Sequence, residues 1–465
     1  MFVRAGVGTE TYDCFIVGSG PAGLTVGLAL ADAGKRALIF ESGDDGAARN
    51  DLATCIGYGH FAGSYWNGHS MRTLGGTSSV WSGWCTALSA LDLDNPAVGV
   101  QWPIAKEELA PYWRRAAPLV DHHPDFIDFE APLLPGLVYR PIPTAPPVHF
   151  GRKFQSAMQT HPRLGVATGA TVVGFDANDA RSTVTQIEYL DHRTGARRPM
   201  AVRPSQAVIL AAGGIGNAQL LLQPHASGGT PVGNETGHVG ECLMEHPHFS
   251  SAGECAIDAE LDRYWPRENA GPGMHAIVAD RALSLEHGLY GCSLQCSRKT
   301  ADHDVARFLS GEAGRAFFHY DVTARAEMLP SPANRVFLTA ERDAAGLLRP
   351  GARCVLDARD LLNVEMTLRT IGERLMRQGR GRMRVNNDRI YKVTDGGGHI
   401  MGTTRMGDVA SGSVVDRHCR VHGYANLFVA GSSVFPSGGY ANPTLTIVAL
   451  ALRLADTLAG RGPSS

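Results

Sequence analysis

The sequence predicts an α/β protein, with one large domain built from βαβ units and a second, smaller α+β domain built on an antiparallel sheet. Three observations support this prediction. The first fifty residues alternate between strand and helix patterns around a glycine-rich turn. Two later segments again lead from a strand pattern into small residues. At 465 residues the chain is also too long for one simple core, so two or three lobes are expected.

The first element is a short strand that leads into a glycine-rich turn. Residues 12–18, "YDCFIVG", form an apolar run of strand length, and "GSGPAG" at 18–23 follows directly. The next stretch, "LTVGLALADAG" at 24–34, has the composition of an apolar helix that stops at Gly34. "RALIFES" at 36–42 is the second strand, so the segment predicts a complete βαβ unit.

Three glycines and one carboxylate in this unit have the spacing of a Rossmann-like dinucleotide fingerprint. Gly18 is expected to make the tight turn, and Gly20 to let the backbone approach a pyrophosphate. Gly23 allows the helix to pack closely on the strand. Glu41 ends the second strand, where a carboxylate accepts hydrogen bonds from ribose hydroxyls. The fingerprint does not distinguish NAD from FAD.

Later segments are predicted to return to the same domain. Residues 164–176 and 207–222 are patterned as strands, and the second continues through "AAGG" into a helix. A buried strand that meets such small residues leaves room for a ligand against the backbone. The loop "LGGTSSVWSGWC" at 74–85 has small residues that suit a flat ring. Neither a second GxGxxG nor a redox cysteine pair follows, which argues against a two-nucleotide reductase.

The middle of the chain has a different pattern. "NRVFLTAERDAAG" at 334–346 predicts a strand and a turn, and residues 364–379 predict a charged helix. The proline-rich run at 133–151 predicts an extended connection. The predicted division assigns residues 1–90, 160–245 and 396–465 to the large domain, 91–159 to a connecting segment, and 246–395 to the substrate-binding domain.

Composition argues against several classes of protein. The net charge of −2 gives no broad basic surface for nucleic acid. The most apolar run, 445–452, is followed by Arg453 and Asp456, so no membrane span is expected. The nine cysteines are scattered and the first residues form no secretory signal, which favours a reducing, cytoplasmic location. His246 and His248 have no suitably spaced third ligand, so no metal site is expected.

The candidate catalytic residues lie near the end of the chain. His399 follows three glycines in "GGGHIMGTTRMG", residues 396–407. Asn442 precedes Pro443 in "GGYANPTLTIVALALRLADTL", residues 438–458, at the head of an apolar helix pattern. Pro443 suits the first turn of that helix. Two roles are open for Asn442, because its side chain can cap the helix or face a substrate.

Seven motifs extend from the first predicted strand to the last predicted helix: "GSGPAG", "LGGTSSVW", "VILAAGGIGNAQLL", "VGECLMEHP", "NRVFL", "HIMGTTRMG" and "NLFVAGSSVFPSGGYANPTLT". In these motifs the chain resembles the glucose–methanol–choline (GMC) family of FAD-dependent oxidoreductases. It looks most similar to the sugar-oxidising branch that includes pyranose oxidases and fructose dehydrogenases. The resemblance implies FAD as the cofactor.

The resemblance also implies a role for each candidate residue. His399 matches the active-site histidine of the family, and Asn442 matches its partner, which is His in some members and Asn in others. The remaining matched positions are expected to contact FAD: Gly18, Gly20, Gly23 and Glu41 at the ADP moiety, Val172 through its backbone at the adenine, Gly75, Gly76 and Ser78 along the flavin, Gly431 and Ser432 near the pyrophosphate and ribityl chain, and Thr444 and Leu445 as backbone donors at the pyrimidine edge of the flavin.

Two further expectations concern the flavin itself. Some relatives attach it covalently through a histidine immediately before the residue that is Trp81 here. This chain has Val80 at that position, so FAD is expected to be bound non-covalently. The helix that begins at Pro443 is expected to point its positive N-terminus at the flavin and to stabilise negative charge on the reduced ring.

The implied reaction is the oxidation of a sugar, cyclitol or other polyol-like alcohol to the carbonyl, with a hydride passing to flavin N5 and a proton to His399. Two alternatives stay open, a lyase-like member of the same fold and an FAD-binding protein without catalysis. The expected partners are a small-molecule alcohol or sugar and an electron acceptor, which is oxygen, a quinone or another carrier. Aromatic residues at 63–69 and 262–269 either stack on a sugar face or pack internally.

Overall fold

The computed structural model describes residues 12–44, 50–52, 54–224, 229–261, 273–299, 303–392 and 395–461. Its strands are β1 Cys14–Val17, β2 Ala37–Glu41, β3 Ile56–Gly59, β4 Ala131–Leu134, β5 Leu137–Pro143, β6 Leu164–Thr168, β7 Ala170–Ala177, β8 Val184–Asp191, β9 Ala196–Ala201, β10 Ala207–Leu210, β11 Pro247–Asp258, β12 Gly273–Ala279, β13 Cys292–Arg298, β14 Phe317–Ala326, β15 Arg335–Arg342, β16 Leu348–Cys354, β17 Gly381–Val385, β18 Asp395–Gly396 and β19 Leu427–Val429. Its helices are α1 Pro21–Asp32, α2 Ala90–Leu93, α3 Lys106–Ala116, α4 Phe150–Lys153, α5 Gln155–Thr160, α6 Gly213–Leu222, α7 Arg281–His287, α8 Asp304–Ala313, α9 Ala358–Arg377, α10 Asn387–Ile390 and α11 Thr444–Leu458.

A parallel sheet has the strand order β19-β10-β1-β2-β6. β1 pairs in parallel with β2 on one side and with β10 on the other. Every residue of β1 and β2 is buried, as expected for a parallel sheet that is covered on both faces. The helix between them, α1, packs against α11 from the other end of the chain. The predicted α/β fold is therefore confirmed, and α11 is joined to the first βαβ unit.

Gly23 explains how α1 approaches the sheet so closely. A Cβ atom at this position would lie 1.9 Å from the carbonyl oxygen of Gly18. Gly18 itself has φ +103°, a conformation that side chains disfavour. Both glycines are therefore required by the backbone path at the start of the helix.

The second sheet is antiparallel and has the order β17-β11-β14-β13-β12-β5-β4, with β18 also paired to β11. It confirms the predicted α+β component. The segment predicted as an extended connection contributes β4 and β5 to this sheet, where β5 pairs with β12. The segment at 91–159 is therefore more than a linker, and the predicted domain boundaries stay a prediction.

Residues 164–176, which were predicted as strand, form two strands that belong to different sheets. β6 is the edge of the parallel sheet, and β7 pairs with β8 in a separate three-stranded sheet. Gly169, with φ +63°, makes the break between them. The aromatic segment at 262–269 lies outside the described residues.

In the part of the chain that the structure describes, no helix has both the length and the apolar character that a membrane crossing requires. The nine cysteines are all buried and none is in a disulfide. Burial raises the pKa of Cys85 and keeps its thiol protonated. The cytoplasmic location stays a prediction.

Candidate active site

A cavity of about 400 Å³ opens where the glycine-rich turn, the loop at 74–85 and the first turn of α11 meet. The predicted site residues that line it are Gly18, Gly20, Glu41, Gly76, Ser78, Val172, His399, Gly431, Ser432, Asn442 and Thr444. Gly23, Gly75 and Leu445 are not among the lining residues, and their own contacts suggest supporting positions. The structure thus brings together residues that are separated by more than 400 positions in the chain.

The cavity fits a dinucleotide because its wall is bare backbone at several places. A Cβ atom at Gly213 would meet no atom within 4 Å. At Gly20 and Gly431 a Cβ atom would meet a single atom, 4.0 Å away. These glycines therefore leave open space along the backbone, which a pyrophosphate and a ribityl chain need for close approach. These open backbone positions suit the pyrophosphate and ribityl chain of FAD, the cofactor that the sequence resemblance implies.

Glu41 lies at the edge of the cavity, and donors already hold its carboxylate. It accepts hydrogen bonds from Ser19 N at 2.9 Å, from Ser19 Oγ at 2.6 Å and from Gly43 N at 2.8 Å. Burial raises the pKa of Glu41, and these hydrogen bonds act in the opposite direction. They fix the orientation of the carboxylate, while its contact with a ribose stays a prediction.

The loop at 74–79 is held in place by its own predicted site residues. Gly75 N donates to Ser19 Oγ at 3.0 Å, and a Cβ atom at Gly75 would lie 2.3 Å from Gly151 N. Ser78 Oγ donates to Gly75 O at 2.6 Å and accepts from Phe150 N at 3.0 Å. Gly75 and the Ser78 side chain therefore shape the loop, and Gly76 presents its backbone to the cavity.

Asn442 contacts His399 and does not cap α11. Its amide Nδ2 lies 3.3 Å from His399 Nε2. α11 begins at Thr444 with Pro443 as the N-cap residue, and no side chain makes a capping hydrogen bond. Asn442 therefore does not cap the helix. Pro443 has helical φ −74° and ψ −17°, and its carbonyl accepts from Ile447 N at 2.8 Å, so it lies where the first turn begins, as predicted. The N–H groups of that turn start just beside the Asn442–His399 pair.

A chain of hydrogen bonds determines which ring nitrogen of His399 carries the hydrogen and which keeps a lone pair. Gly438 O can only accept, so His246 Nε2, 3.3 Å away, carries the hydrogen. The other nitrogen of a neutral His246, Nδ1, is then an acceptor, and it lies 2.8 Å from His399 Nδ1. His399 Nδ1 is therefore the donor, and Nε2 keeps its lone pair. That lone pair faces Asn442 and the cavity.

Both imidazoles are neutral in this environment. Burial lowers the pKa of His399 well below its usual value, and the neighbouring His246, His248 and Arg325 lower it further. Burial also lowers the pKa of His246 to about 4. A neutral His399 with a free Nε2 is in the form that a general base requires.

The carboxylate of Glu245 holds the segment that carries His399. It accepts from His399 N at 2.7 and 2.9 Å, from His246 N at 2.7 Å and from the Tyr65 hydroxyl at 2.9 Å. The Tyr65 oxygen also accepts from Gly398 N at 3.1 Å. Burial raises the pKa of Glu245 to about 7, and its hydrogen bonds oppose that rise.

A second buried carboxylate holds the segment that leads to Asn442. Glu327 accepts from Gly438 N at 3.0 Å, from Gly439 N at 2.9 Å and from Gly291 N at 3.1 Å. Burial raises the pKa of Glu327 to about 8. The two catalytic candidates therefore sit on loops that are each pinned by an acidic side chain.

The supporting roles of these residues were not predicted from the sequence. Only structural roles were predicted for His246 and His248, and Glu245 and Glu327 had no predicted role. Tyr65 belongs to the aromatic segment at 63–69, and it packs internally against Phe61 and Trp66. The adjacent Glu-His pair in "MEHPH" was the available signal, because a carboxylate beside two histidines suggests an ordered proton path. Among the described residues, the side chains that could share a metal are Glu254, His303 and His319, outside this cavity, and the prediction of no metal stays a prediction.

The fold and the site together define a dinucleotide-binding type of protein with a histidine at one end of its cavity. Residues 330–451 match the sequence profile of the GMC oxidoreductases. The chain is 24% identical to 6'''-hydroxyparomomycin C oxidase of Streptomyces lividus over 98% of this chain and 93% of that protein. It is 25% identical to 2-methyl-1,2-propanediol dehydrogenase of Mycolicibacterium austroafricanum over 97% and 95% of the two chains.

Solved structures show the same fold. A fungal aryl-alcohol oxidase superposes with a TM-score of 0.63 at 16% identity, over 97% of this chain and 99% of that one. Pyridoxine 4-oxidase from Mesorbium loti superposes with a TM-score of 0.59, also at 16% identity, over 96% of this chain and 99% of that one. Residues 330–451 thus carry the C-terminal domain of the GMC oxidoreductases, and the protein is an oxidoreductase of this type, an enzyme that uses FAD and acts on CH–OH donors.

Proposed function

We propose that this oxidoreductase converts a sugar, cyclitol or other polyol-like alcohol to the carbonyl compound, with FAD held non-covalently. The observation that carries the proposal is the unprotonated Nε2 of His399, which accepts from the Asn442 amide at 3.3 Å at the wall of the cavity. The names of the relatives agree with this substrate class, since they include a diol dehydrogenase and the large subunit of fructose dehydrogenase from Gluconobacter japonicus. Val80 lies at the cavity wall and has no side-chain nitrogen, oxygen or sulfur that could form a covalent bond to the flavin, which supports non-covalent binding.

In the proposed reaction the substrate hydroxyl lies beside the two side chains, on their cavity side, within hydrogen-bond reach of both. His399 Nε2 takes the hydroxyl proton, and the Asn442 amide donates to the oxygen as negative charge develops on it. FAD supplies the acceptor for the two electrons and the hydrogen that leave carbon. Asn442 and His399 orient the CH–OH group, and such orientation is worth up to roughly 7–11 kcal/mol in well-positioned systems.

The N-terminus of α11 supports the same proposal. Its first N–H groups have no partner within the helix and carry about half a positive charge. Thr444 lines the cavity, whereas Leu445 is fully buried with its amide beside the thiol of Cys85. Thr444 would therefore be the backbone donor that holds the flavin of bound FAD, and Leu445 would support it.

Anaerobic mixing with a panel of alcohols and sugars tests the proposed function. We expect at least one of them to bleach the absorbance of the oxidised flavin, and air or a quinone added afterwards to restore it. A product formed while the flavin stays oxidised would instead favour lyase-like chemistry and would contradict the proposal.

His399 itself is expected to add no inflection to the pH dependence of kcat/KM between about pH 6 and pH 8, where the groups of the site that titrate are Glu245 and Glu327, with pKa values raised by burial to about 7 and about 8. Protonation of His399 removes the base, and burial lowers its pKa, so the loss of activity should begin only at more acid pH. The profile is measured by the initial rate of flavin reduction at low substrate concentration. An inflection near pH 6.5, the value of an unshifted imidazole, that persisted after Glu245→Gln would contradict the environment assigned to His399.

Replacement of His246 by leucine is expected to lower kcat about tenfold or more while KM changes little. The change removes the acceptor for His399 Nδ1–H, so the ring is no longer held in the productive tautomer. His246→Gln supplies a carbonyl oxygen that can accept the same hydrogen and should restore much of the rate. Equal losses in both variants would show that His246 acts only by filling space.

A further inference from the structure

Two polar side chains from the antiparallel sheet lie at the catalytic end of the cavity. His248 on β11 pairs directly with Arg325 on β14, and cross-strand partners project from the same face of a sheet. Both residues line the cavity that also contains His399. Arg325 is close enough to lower the pKa of His246, His248 and His399 through its positive charge.

Arg325 has a charge that no described side chain neutralises by direct contact. Its buried Nε has no hydrogen-bond partner, and the buried Nε2 of His248 has none either. On the other side of Arg325, its cross-strand partner Ser293 is fully buried and its hydroxyl is also unpartnered. Asp395 acts on Arg325 only through space. A partly buried guanidinium without a partner costs free energy, which a bound anion would offset.

The distribution of charged residues along the cavity wall also favours an anion at the end near His399. Glu41 is the one carboxylate among the described lining residues, and it lies at the β2 end that is assigned to the ribose. At the end near His399 the titratable lining residues are Arg325 and imidazoles. Burial lowers the pKa of His248 to about 3, so this ring is neutral and can donate one hydrogen bond.

We infer that Arg325 and His248 form a carboxylate subsite, so that the preferred substrate is a polyol or sugar that carries a carboxylate, such as a uronic acid. The planar guanidinium can match a carboxylate through two parallel hydrogen bonds, and the neutral ring of His248, which also lines the cavity, can donate a third. The carboxylate anchors one end of the molecule and leaves a CH–OH group for His399 and Asn442. This inference rests on the proposed function for the identity of the reacting group.

Matched pairs of substrates test the subsite in the FAD-loaded enzyme. D-glucuronate is compared with D-glucose, and D-galacturonate with D-galactose, because each pair differs at one carbon. Dissociation constants come from the change in flavin absorbance, and rates from anaerobic flavin reduction. We expect each acid to bind at least tenfold more tightly than its parent sugar, and added salt to weaken only the binding of the acid. D-glucose 6-phosphate is included, and tighter binding of this ester than of D-glucuronate would overturn the assignment to a carboxylate.

Arg325→Gln is expected to remove the preference for the acid and to leave the affinity for the neutral sugar within about threefold. Arg325→Lys should retain part of the preference and guards against a folding defect in the first variant. Arg384→Gln is the matched control, because Arg384 is exposed on the neighbouring β17, where it lies 3.8 Å from Glu254. Equal affinity for acid and sugar in the parent enzyme, or a preference that persists in Arg325→Gln, would overturn the inference.

The same experiment separates this inference from the proposed function. If the acids bind through Arg325 but neither acids nor sugars reduce the flavin, the subsite stands and the proposed oxidation fails. If neutral sugars reduce the flavin and every acid binds more weakly, the oxidation stands and the subsite fails.

Discussion

Replacement of His399 by alanine is expected to slow the reduction of bound FAD by an alcohol about 10²- to 10⁴-fold. The change removes the nitrogen that accepts the hydroxyl proton, while Asn442 keeps its position at the start of α11. The rate at saturating substrate should decrease, because the lost interaction stabilises the transition state more than the bound substrate. Stopped-flow absorbance under anaerobic conditions measures this rate directly.

The control for this experiment is His161→Ala. His161 follows α5, contacts Asp32 and is not among the residues that line the cavity, so its loss should leave the rate unchanged. Both variants should retain FAD in the same ratio to protein as the parent. If His399→Ala reduced its flavin at the parent rate, the assignment of His399 as the base would be abandoned.

The first βαβ unit was predictable because its structure depends on nearby residues. Gly18, Gly23 and Glu41 all lie within one strand–helix–strand segment, and the turn, the close packing and the position of the carboxylate follow from it. The antiparallel second sheet was also expected, although β4 and β5 were assigned to a connection. That assignment was wrong because it took a high proline content to exclude strands. The strands instead contain Pro132, Pro141 and Pro143, at positions where the missing N–H group is tolerated.

The supporting groups of the site were not predictable from local pattern. Glu245 contacts His399 across 154 positions of the chain, and Glu327 contacts Gly439 across 112. Such contacts depend on where the antiparallel sheet meets the parallel one, and no periodicity in the sequence encodes that placement. His399 and Asn442 themselves were found through family resemblance, and spacing alone would not have joined them. No sequence motif includes Arg325. Only the structure distinguishes it from the other arginines, because its Nε is buried without a hydrogen-bond partner and the residue lines the cavity.

Replacement of Gly23 by alanine is expected to abolish FAD retention and to lower the melting temperature. The new Cβ atom would lie 1.9 Å from Gly18 O and 3.2 Å from the Ala211 side chain, so α1 must move away from the sheet. Overpacking of this kind costs about 1–3 kcal/mol and more where backbone must shift. Because Gly18 and Gly20 form the cavity wall at the N-terminus of α1, the displacement also removes the surface for the pyrophosphate.

Gly311→Ala is the matched control for Gly23→Ala, since both positions lie within helices. A Cβ atom at Gly311 in α8 would meet nothing within 4 Å, so the same chemical change should stabilise that helix by up to about 1 kcal/mol. Flavin absorbance after gel filtration and thermal unfolding provide the two measurements. Lost cofactor also removes the stability that binding contributes, so the two losses should appear together in Gly23→Ala. A Gly23→Ala protein that kept its FAD and its melting temperature would show that the turn tolerates displacement, and the dinucleotide role of this glycine would then have no structural basis.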